Sequence, residues 1–406
     1  MTIAPELVHA PDRTEPRRLS RRASFWFAGA LLAVYLMAST APSPMYSVYQ
    51  QRWGFSTMVL TEVFAVYALG ILASLLLLGS LSDHVGRKPV LLASLVLEIA
   101  SMVVLAVAPG VGWLYAGRIL QGVATGATTS AISGALLDFQ RPGSNRGPLI
   151  NGFAAGAGMA LGSVLAGALV QYAPAPTVLS YVVLIAAFAV AIPLVLAMPE
   201  SVPARSRSLR ELLRPQRPTV PAGKGRAFAL IATSMLSAWT VGGTYMSLGP
   251  SIAKGMVGGA PHLIGGLAVA ALAGVGSVTQ LVLAQWSGQR SVRVGAPLLV
   301  VALAGVAVSV QTASTALFFG SSLVLGVGWG LMFMGGFRLL TAMATPEHRA
   351  GTSATIYLVA YTSAGVPAVT LGLVATAFGL ATATVAFAVA ASLFSAIAAL
   401  ATFVRR

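Results

Sequence analysis

Residues 79–91 form a short polar run between two apolar stretches, each long enough to cross a bilayer. The run reads Gly-Ser-Leu-Ser-Asp-His-Val-Gly-Arg-Lys-Pro-Val-Leu, so that one acid, Asp83, precedes two adjacent cations, Arg87 and Lys88. A turn with glycines, an acid and two cations cannot lie in hydrocarbon, where unpaired polar groups are too costly. We therefore predict that this run is a turn at the membrane surface between two spanning helices.

Arg118, Glu62 and Glu98 lie within the apolar stretches, where an ionisable group is costly and normally faces protein or water. At the rise of a helix, Arg118 lies about 10 Å and Glu62 roughly 7 Å inside the same face of the membrane, and Glu98 lies deeper. A carboxylate beside a fixed guanidinium changes its protonation with access, desolvation and substrate, as proton coupling requires. A static Glu62–Arg118 pair, or a Glu62 that reaches out to the interface, is the equally weighted alternative.

The composition is that of a protein whose outer surface faces lipid. Hydrophobic residues make up 57% of the 406 residues and charged residues 9%, against roughly 45–50% and ~25% in soluble domains. The chain has no cysteine, which excludes disulfides, thiolate metal sites and cysteine nucleophiles. The histidines (His9, His84, His262 and His348) fall outside the predicted helices, and no phosphate-binding glycine loop is present. We therefore expect no metal, no cofactor and no enzymatic activity.

Twelve apolar segments of spanning length follow one another, so the predicted fold class is an all-α integral membrane protein. They cover 25–48, 58–79, 90–108, 112–137, 149–171, 176–198, 227–248, 263–284, 294–313, 316–338, 353–377 and 381–404. The longest polar interval carries nine charged residues and divides the segments into two groups of six. We predict a tail over 1–24, a six-helix bundle over 25–198, a linker over 199–226 and a second bundle over 227–404.

The basic residues predict the orientation in the membrane. With twelve spans both termini lie on one side, and that side holds 22 of the 25 lysines and arginines. Only Arg52 and Lys254 fall on the opposite side, and Arg118 lies within a helix. Such a bias predicts a multi-pass protein of the plasma membrane with both termini in the cytoplasm. The net charge of +15 therefore indicates contact with the lipid bilayer and not with nucleic acid.

Three motifs resemble those of the major facilitator superfamily, and the resemblance extends over essentially the whole chain. The run after the second segment is similar to the family's motif A, at Gly79, Leu81, Asp83, Gly86, Arg87 and Lys88. Arg118-x-x-Gln121-Gly122 is similar to motif B, and Pro199-Glu200-Ser201 resembles the usual exit from the sixth helix. The resemblance implies twelve transmembrane helices in two six-helix bundles with inverted repeats, and a monomer. The second copy of motif A, Ala284 to Arg290, has Gln285 in place of the acid, so we expect the turn without the charge pair.

The resemblance also implies roles for motif A and its partner. Asp83 would cap the start of the eleventh helix near Thr352, and Arg87 would bridge toward Asp138. A carboxylate at a helix N-terminus meets unpaired N–H groups, so breaking these contacts would set a barrier between two transport states. The alternative is a basic turn that only orients the chain. Helix 3 is peripheral in the family, so a structural role is favoured for Glu98 over proton coupling.

Helix 5 matches the glycine run of efflux members only in part. Small residues remain at Gly158, Gly162 and Gly167, while the proline and one glycine of the run are missing. Spacing of four residues still permits close backbone approach, as a hinge or as an ordinary helix contact.

A central cavity between helices 1, 4, 7 and 10 is implied on family grounds. Its candidate lining residues are Tyr35, Ser39, Thr125, Trp239, Tyr245, Trp329 and Met332. Aromatic and methionine side chains with scattered hydroxyls suit an amphiphilic small molecule, although each residue singly is more often packing. The resemblance favours proton-coupled antiport of a drug or natural product out of the cell. Because residues 25–48 lack the acid that efflux members often carry, proton-coupled uptake of a small polar nutrient is the alternative.

Overall fold

The computed structural model describes residues 18–203, 215–257, 262–345 and 349–403. These ranges contain helices and turns and no strand, which confirms the all-helical fold. The helices are α1 (Arg21–Thr40), α2 (Pro42–Trp53), α3 (Thr57–Leu78), α4 (Ser82–Val85), α5 (Arg87–Ala106), α6 (Val111–Phe139), α7 (Arg146–Tyr172), α8 (Leu179–Ala197), α9 (Gly225–Ser247), α10 (Gly249–Met256), α11 (His262–Val282), α12 (Gly288–Gln311), α13 (Thr315–Thr341), α14 (Arg349–Phe378) and α15 (Leu380–Phe403).

Within the described ranges, eleven helical segments are long and apolar enough to span a membrane, with α1 and α2 taken together as one. The helix α6 makes the twelfth crossing, although its polar residues lower its hydropathy. It lies antiparallel to α5, because Arg87 at the start of α5 contacts Asp138 near the end of α6, and Ser101 donates to the Gly117 carbonyl farther along. Large apolar side chains such as Val96 and Val301 remain more than half exposed, as expected for a lipid-facing surface.

The first helix of each half breaks at a proline. α1 ends at Thr40 and α2 begins at Pro42, while α9 ends at Ser247 and α10 carries Pro250 in its first turn. Proline lacks an N–H and is tolerated at the start of a helix, so each break begins a new helix at a slight offset. The predicted first segment stopped at residue 48, but α2 continues to Trp53 because its polar end still makes helical hydrogen bonds.

We call the side where α1 begins, α8 ends and α15 ends the terminal side, and the opposite side the distal side. The two halves pack along α7 with α11 and along α3 with α14. Ser163 on α7 donates to the Gly266 carbonyl at 3.0 Å, and Ser277 on α11 donates to the Phe153 carbonyl at 2.8 Å. These small residues let the backbones approach closely.

The distal side is closed by contacts between the halves. Ser43 on α2 donates to the Met246 carbonyl on α9 at 2.7 Å, and Thr376 on α14 accepts from the Met58 N–H at 3.1 Å. On the terminal side the end of the linker lies between α3 and α14, where Thr219 contacts Gly351 and accepts from Thr355. The domain boundaries at 198 and 227 stay a prediction, close to the end of α8 at Ala197 and the start of α9 at Gly225.

Candidate functional site

The polar run 79–91 folds as the single-turn helix α4 followed directly by α5. Gly86 joins them with φ of +100°, a left-handed conformation that glycine adopts without strain. A Cβ there would also lie 2.8 Å from a carboxylate oxygen of Glu200. Both the backbone conformation and the close approach of an acid therefore require glycine at this position.

Arg87 is the centre of an ion-pair cluster on the terminal side. Its guanidinium contacts Asp83 Oδ1 at 2.5 Å and Asp138 Oδ2 at 3.1 Å, and it donates to Ser82 Oγ at 2.8 Å. The guanidinium lies against Gly134 of α6, where any side chain would displace it. The predicted Arg87–Asp138 bridge is thus present, and Ser201 after α8 also donates to Asp138, at 2.8 Å.

The first turn of α5 is capped by Glu200, a role that the sequence analysis missed. The Glu200 carboxylate accepts from the N–H groups of Arg87 at 2.8 Å and Lys88 at 3.0 Å. A carboxylate at a helix N-terminus satisfies unpaired N–H groups and lies at the positive end of the helix dipole. Lys88 in turn donates to the Leu196 carbonyl at the end of α8, so the cluster joins α4, α5, α6 and α8. The Pro199-Glu200-Ser201 motif was recognised in the sequence, but the N–H groups of α5 that Glu200 binds were not predicted.

The predicted cap by Asp83 on the eleventh helix is not seen among the described residues, and it stays a prediction. Asp83 pairs with Arg87 one turn along the chain, its side chain is 55% exposed, and no contact with Thr352 is present in the described part of the chain. Thr352 is fully buried, and its hydroxyl has no hydrogen-bond partner there. The linker residue Thr219 instead donates from its backbone N–H to the Gly351 carbonyl in the first turn of α14.

The second half holds its corresponding turn by a different contact. Arg338 near the end of α13 donates to the carbonyls of Ala284 at 2.8 Å and Trp286 at 2.5 Å. The turn after α11 is therefore kept, as predicted. In the first half, Arg87 at the turn pairs with the Asp138 carboxylate on α6. In the second half, Arg338 on α13 donates to backbone carbonyls of the turn.

A buried polar network connects α5, α6 and α1. Gln121 donates to Glu98 Oε1 at 3.2 Å and to the Ala38 carbonyl at 2.9 Å. Arg118 donates to Gln121 Oε1 at 2.5 Å and to the Ser39 carbonyl at 2.9 Å. Among the described residues, Glu98 Oε2 has no hydrogen-bond partner and the Glu98 side chain is fully buried.

This network completes the broken end of α1. In a continuous helix the Ala38 carbonyl would accept from the N–H four residues later, but that residue is Pro42, which has no N–H. The Gln121 amide supplies the missing donor, and Arg118 binds the next carbonyl. The motif-B side chains therefore stabilise the α1–α2 break, and the break connects to the closed distal side.

The predicted Glu62–Arg118 pair is wrong. Glu62 accepts a hydrogen bond from the Tyr115 hydroxyl at 2.6 Å, while the Arg118 guanidinium lies 4.0 Å from the ring centroid of Tyr67. Five residues at 3.6 per turn place Glu62 and Tyr67 on different faces of α3. The equal depth of Glu62 and Arg118 in the membrane did not show that they lie on different faces. The acid connected to Arg118 is Glu98, because Gln121 bonds to both side chains.

The glycines of α7 contact two different helices. Gly158 and Gly162 lie against the backbone of α1 at Ala33 and Met37, within the same half, and a Cβ on Gly162 would lie 2.5 Å from Met37 Cα. Gly167 faces α11 of the other half, where a Cβ would lie 3.1 Å from Leu263 Cα. Close packing is therefore present at all three positions, and Gly167 is the one at the contact between halves.

Of the predicted cavity residues, Trp239 remains partly exposed and the others are buried. Three members are fully buried inside the bundles: Tyr35 packs against Phe188, Tyr245 bonds to Ser322, and Met332 packs toward α12. Their assignment as cavity residues is wrong because sequence indicates the helix but not which face meets the other half. Ser39 and Thr125 are buried near the Arg118 network.

Trp239 stands at the centre of an aromatic surface on the second half. Its ring lies 4.7 Å from Tyr361 and 6.0 Å from Phe333, between ring centroids, and it remains partly exposed. Its indole N–H has no hydrogen-bond partner among the described residues. Trp329 donates to the Ala238 carbonyl at 2.8 Å and supports this surface from behind. Tyr361 and Phe333 were missed because apolar side chains in an apolar helix carry no distinguishing pattern.

Comparisons with known proteins agree with this architecture. The family model described as Major Facilitator Superfamily matches residues 27–369. A tetracycline resistance protein, class C, of Escherichia coli is 40% identical over 117 residues, which are 28% of this chain and 29% of that protein. A probable triacylglyceride transporter of Mycobacterium bovis is 44% identical over 112 residues, 26% of this chain and 20% of that protein. The chain thus spans less than a third of the length of these relatives.

A solved structure shares the fold over nearly the full length. The bacterial homologue of the human lysosomal transporter Spinster, in an inward-facing and occupied conformation, superposes with a TM-score of 0.69. The match covers 96% of this chain and 97% of that chain at 14% sequence identity, so it shows the fold alone.

Proposed function

The chain belongs to the major facilitator superfamily, and we propose that it exports a small amphiphilic molecule from the cell by alternating access, in exchange for protons. Both termini would lie in the cytoplasm of a plasma-membrane protein, because the basic residues are concentrated on the terminal side. The distal side is then the outer face of the membrane.

The observation that carries proton coupling is the position of Glu98. Its carboxylate is fully buried and shares one amide, Gln121, with the guanidinium of Arg118. An ionised Glu98 attracts the Gln121 NH2 group, whereas a protonated one competes for the Gln121 oxygen that Arg118 now holds. A proton on Glu98 therefore changes the hold of Gln121 and Arg118 on the carbonyls of Ala38 and Ser39. This couples proton binding to the α1–α2 break.

The cluster around Arg87 supports a gating role on the terminal side. It joins α5 to α6 through Asp138 and to the end of α8 through Glu200. The contacts lie within the first half, so they keep its terminal surface rigid while the halves rock.

The aromatic surface supports an amphiphilic substrate. Trp239, Tyr361 and Phe333 offer apolar area, and the free indole N–H offers one donor. The partial likeness to tetracycline-resistance and triacylglyceride-transport proteins agrees with export of a largely apolar molecule.

An accumulation assay tests the proposal. Cells that express the chain are loaded with ethidium, or with members of an amphiphilic drug panel, with and without an uncoupler. We expect lower accumulation than in cells without the gene, and loss of the difference when the uncoupler removes the proton gradient. Unchanged accumulation across the panel would contradict export and favour proton-coupled uptake of a small polar nutrient.

A further inference from the structure

Lys254 and His262 join the two halves at the distal side, away from the Glu98 network. Lys254, on α10 of the second half, donates to Ser47 Oγ on α2 of the first half at 3.0 Å. The same ammonium lies 3.2 Å from Nδ1 of His262, at the start of α11. The backbone N–H of His262 donates to the side-chain oxygen of Gln171, on α7 of the first half, at 2.6 Å. These four residues, the distal latch, make two hydrogen bonds across the halves.

The Lys254–His262 contact depends on the charge of the imidazole. An ammonium has three donors and no acceptor, so Nδ1 of His262 must present its lone pair and the proton must lie on Nε2. A proton on Nδ1 removes that acceptor and places two positive charges in contact.

The surroundings of the latch do not compensate a second positive charge. Lys254 is the ionisable group that acts on His262 among the described residues. The helix α2 carries one cation, Arg52, which is exposed. Tyr49 on the same helix donates to the Tyr181 hydroxyl. On α9, Tyr245 is turned into the bundle toward Ser322. The carboxylate of Glu62, near the distal end of α3, accepts a hydrogen bond from Tyr115.

We infer that His262 is a proton-binding site that controls the distal gate: neutral His262 holds Lys254 against Ser47, and protonated His262 repels Lys254 and releases the halves. The inference rests on the proposed alternating access. It adds that protonation of His262, outside the substrate cavity, controls the opening of the distal side. Acid on the distal side would favour the distal-open state, in which the buried Glu98 can be reached from that side. Burial lowers the pKa of Lys254, which agrees with a site that lacks a compensating acid.

Distance measurements test the latch directly, because the chain has no native cysteine. Spin labels at Gly112→Cys and Gln311→Cys report on the distal ends of α6 and α12, one in each half, at exposed positions. The full-length chain in lipid bilayers is measured at about pH 8 and about pH 5, on either side of the ordinary histidine pKa of roughly 6.5.

We expect the wild-type distance distribution to shift to longer values at the lower pH. His262→Gln, which can accept from Lys254 but cannot gain charge, should keep the short distances at both pH values. His262→Arg should give long distances at both. Arg52→Gln, the matched change of the other distal cation, should leave the wild-type shift intact.

A full shift in His262→Gln, or no shift in the wild type, would overturn the inference. The spin-label distances at the two pH values are measured without transport. A chain whose distal distances respond to pH as expected but which fails the accumulation assay would contradict export while the latch stands.

Discussion

Glu98 lies where a change of its protonation acts on the backbone of another helix. Gln121 bonds to this carboxylate and to the Ala38 carbonyl, which has lost its helical partner to Pro42. Proton binding and the shape of the α1–α2 break therefore share one amide group. Glu62 has no such connection, because its partner is the hydroxyl of Tyr115.

Glu98→Gln should uncouple transport from the proton gradient. A neutral amide cannot bind and release a proton, so the proton gradient no longer acts through residue 98. A loss of about 1.4 kcal/mol of coupling free energy corresponds to about a tenfold effect. We expect ethidium efflux driven by a pH gradient across proteoliposomes to fall at least about tenfold on that basis. Glu62→Gln is the matched control and should retain the drive. Loss of drive in Glu62→Gln alone would contradict the assignment.

The two carboxylates on Arg87 should differ in their effect on stability. Asp138 is mostly buried and accepts from both Arg87 and Ser201, so Asp138→Asn should lower the free energy of unfolding by about 1–2 kcal/mol. Asp83 is 55% exposed and pairs with Arg87 among the described residues, so Asp83→Asn should cost at most about 1 kcal/mol. Thermal unfolding in detergent, followed by tryptophan fluorescence, compares the two. Equal losses would contradict the ranking.

At the scale of helices, α1 and α7 of the first half pack with their backbones in close contact. A Cβ on Gly162 would lie 2.5 Å from Met37 Cα, so Gly162→Ala should force the helices apart and cost about 1–3 kcal/mol of stability. Gly112→Ala is the control, because an added Cβ there meets open space. Unfolding midpoints in detergent measure both, and a stable Gly162→Ala would show that α1 can shift without cost.

Hydropathy predicts where helices cross the membrane, and it predicts poorly how their faces are turned. The predicted segments lie close to the observed helices because each apolar stretch must satisfy its own backbone in lipid. The partners of Glu62 and the buried positions of Tyr35 and Tyr245 depend instead on rotation about the helix axis. That rotation is set by contacts such as Gly162 on Met37, between residues distant in sequence.

At the scale of the whole molecule, the two halves use different chemistry at equivalent places. The first half carries all five carboxylates of the described residues, and the second half holds its turn with Arg338 and backbone carbonyls. Carboxylate-dependent steps are therefore concentrated in the first half, whereas the second half contributes the aromatic surface around Trp239 and the Lys254–His262 contact of the distal latch. Motif A was recognisable from sequence, whereas its substitute in the second half was not, because an arginine bound to carbonyls has no fixed spacing.

A cross-link between the halves should stop the transport cycle reversibly. A Cβ on Gly365 of α14 would lie 3.7 Å from Cβ of Ala65 on α3, within the range that a disulfide requires. The pair Ala65→Cys and Gly365→Cys should form a disulfide on oxidation and hold the closed distal side. Ethidium efflux should then stop, and a reducing agent should restore it, because alternating access requires these helices to separate. Each single-cysteine variant controls for the substitutions themselves. Continued efflux with the disulfide formed would mean that α3 and α14 stay together throughout the cycle.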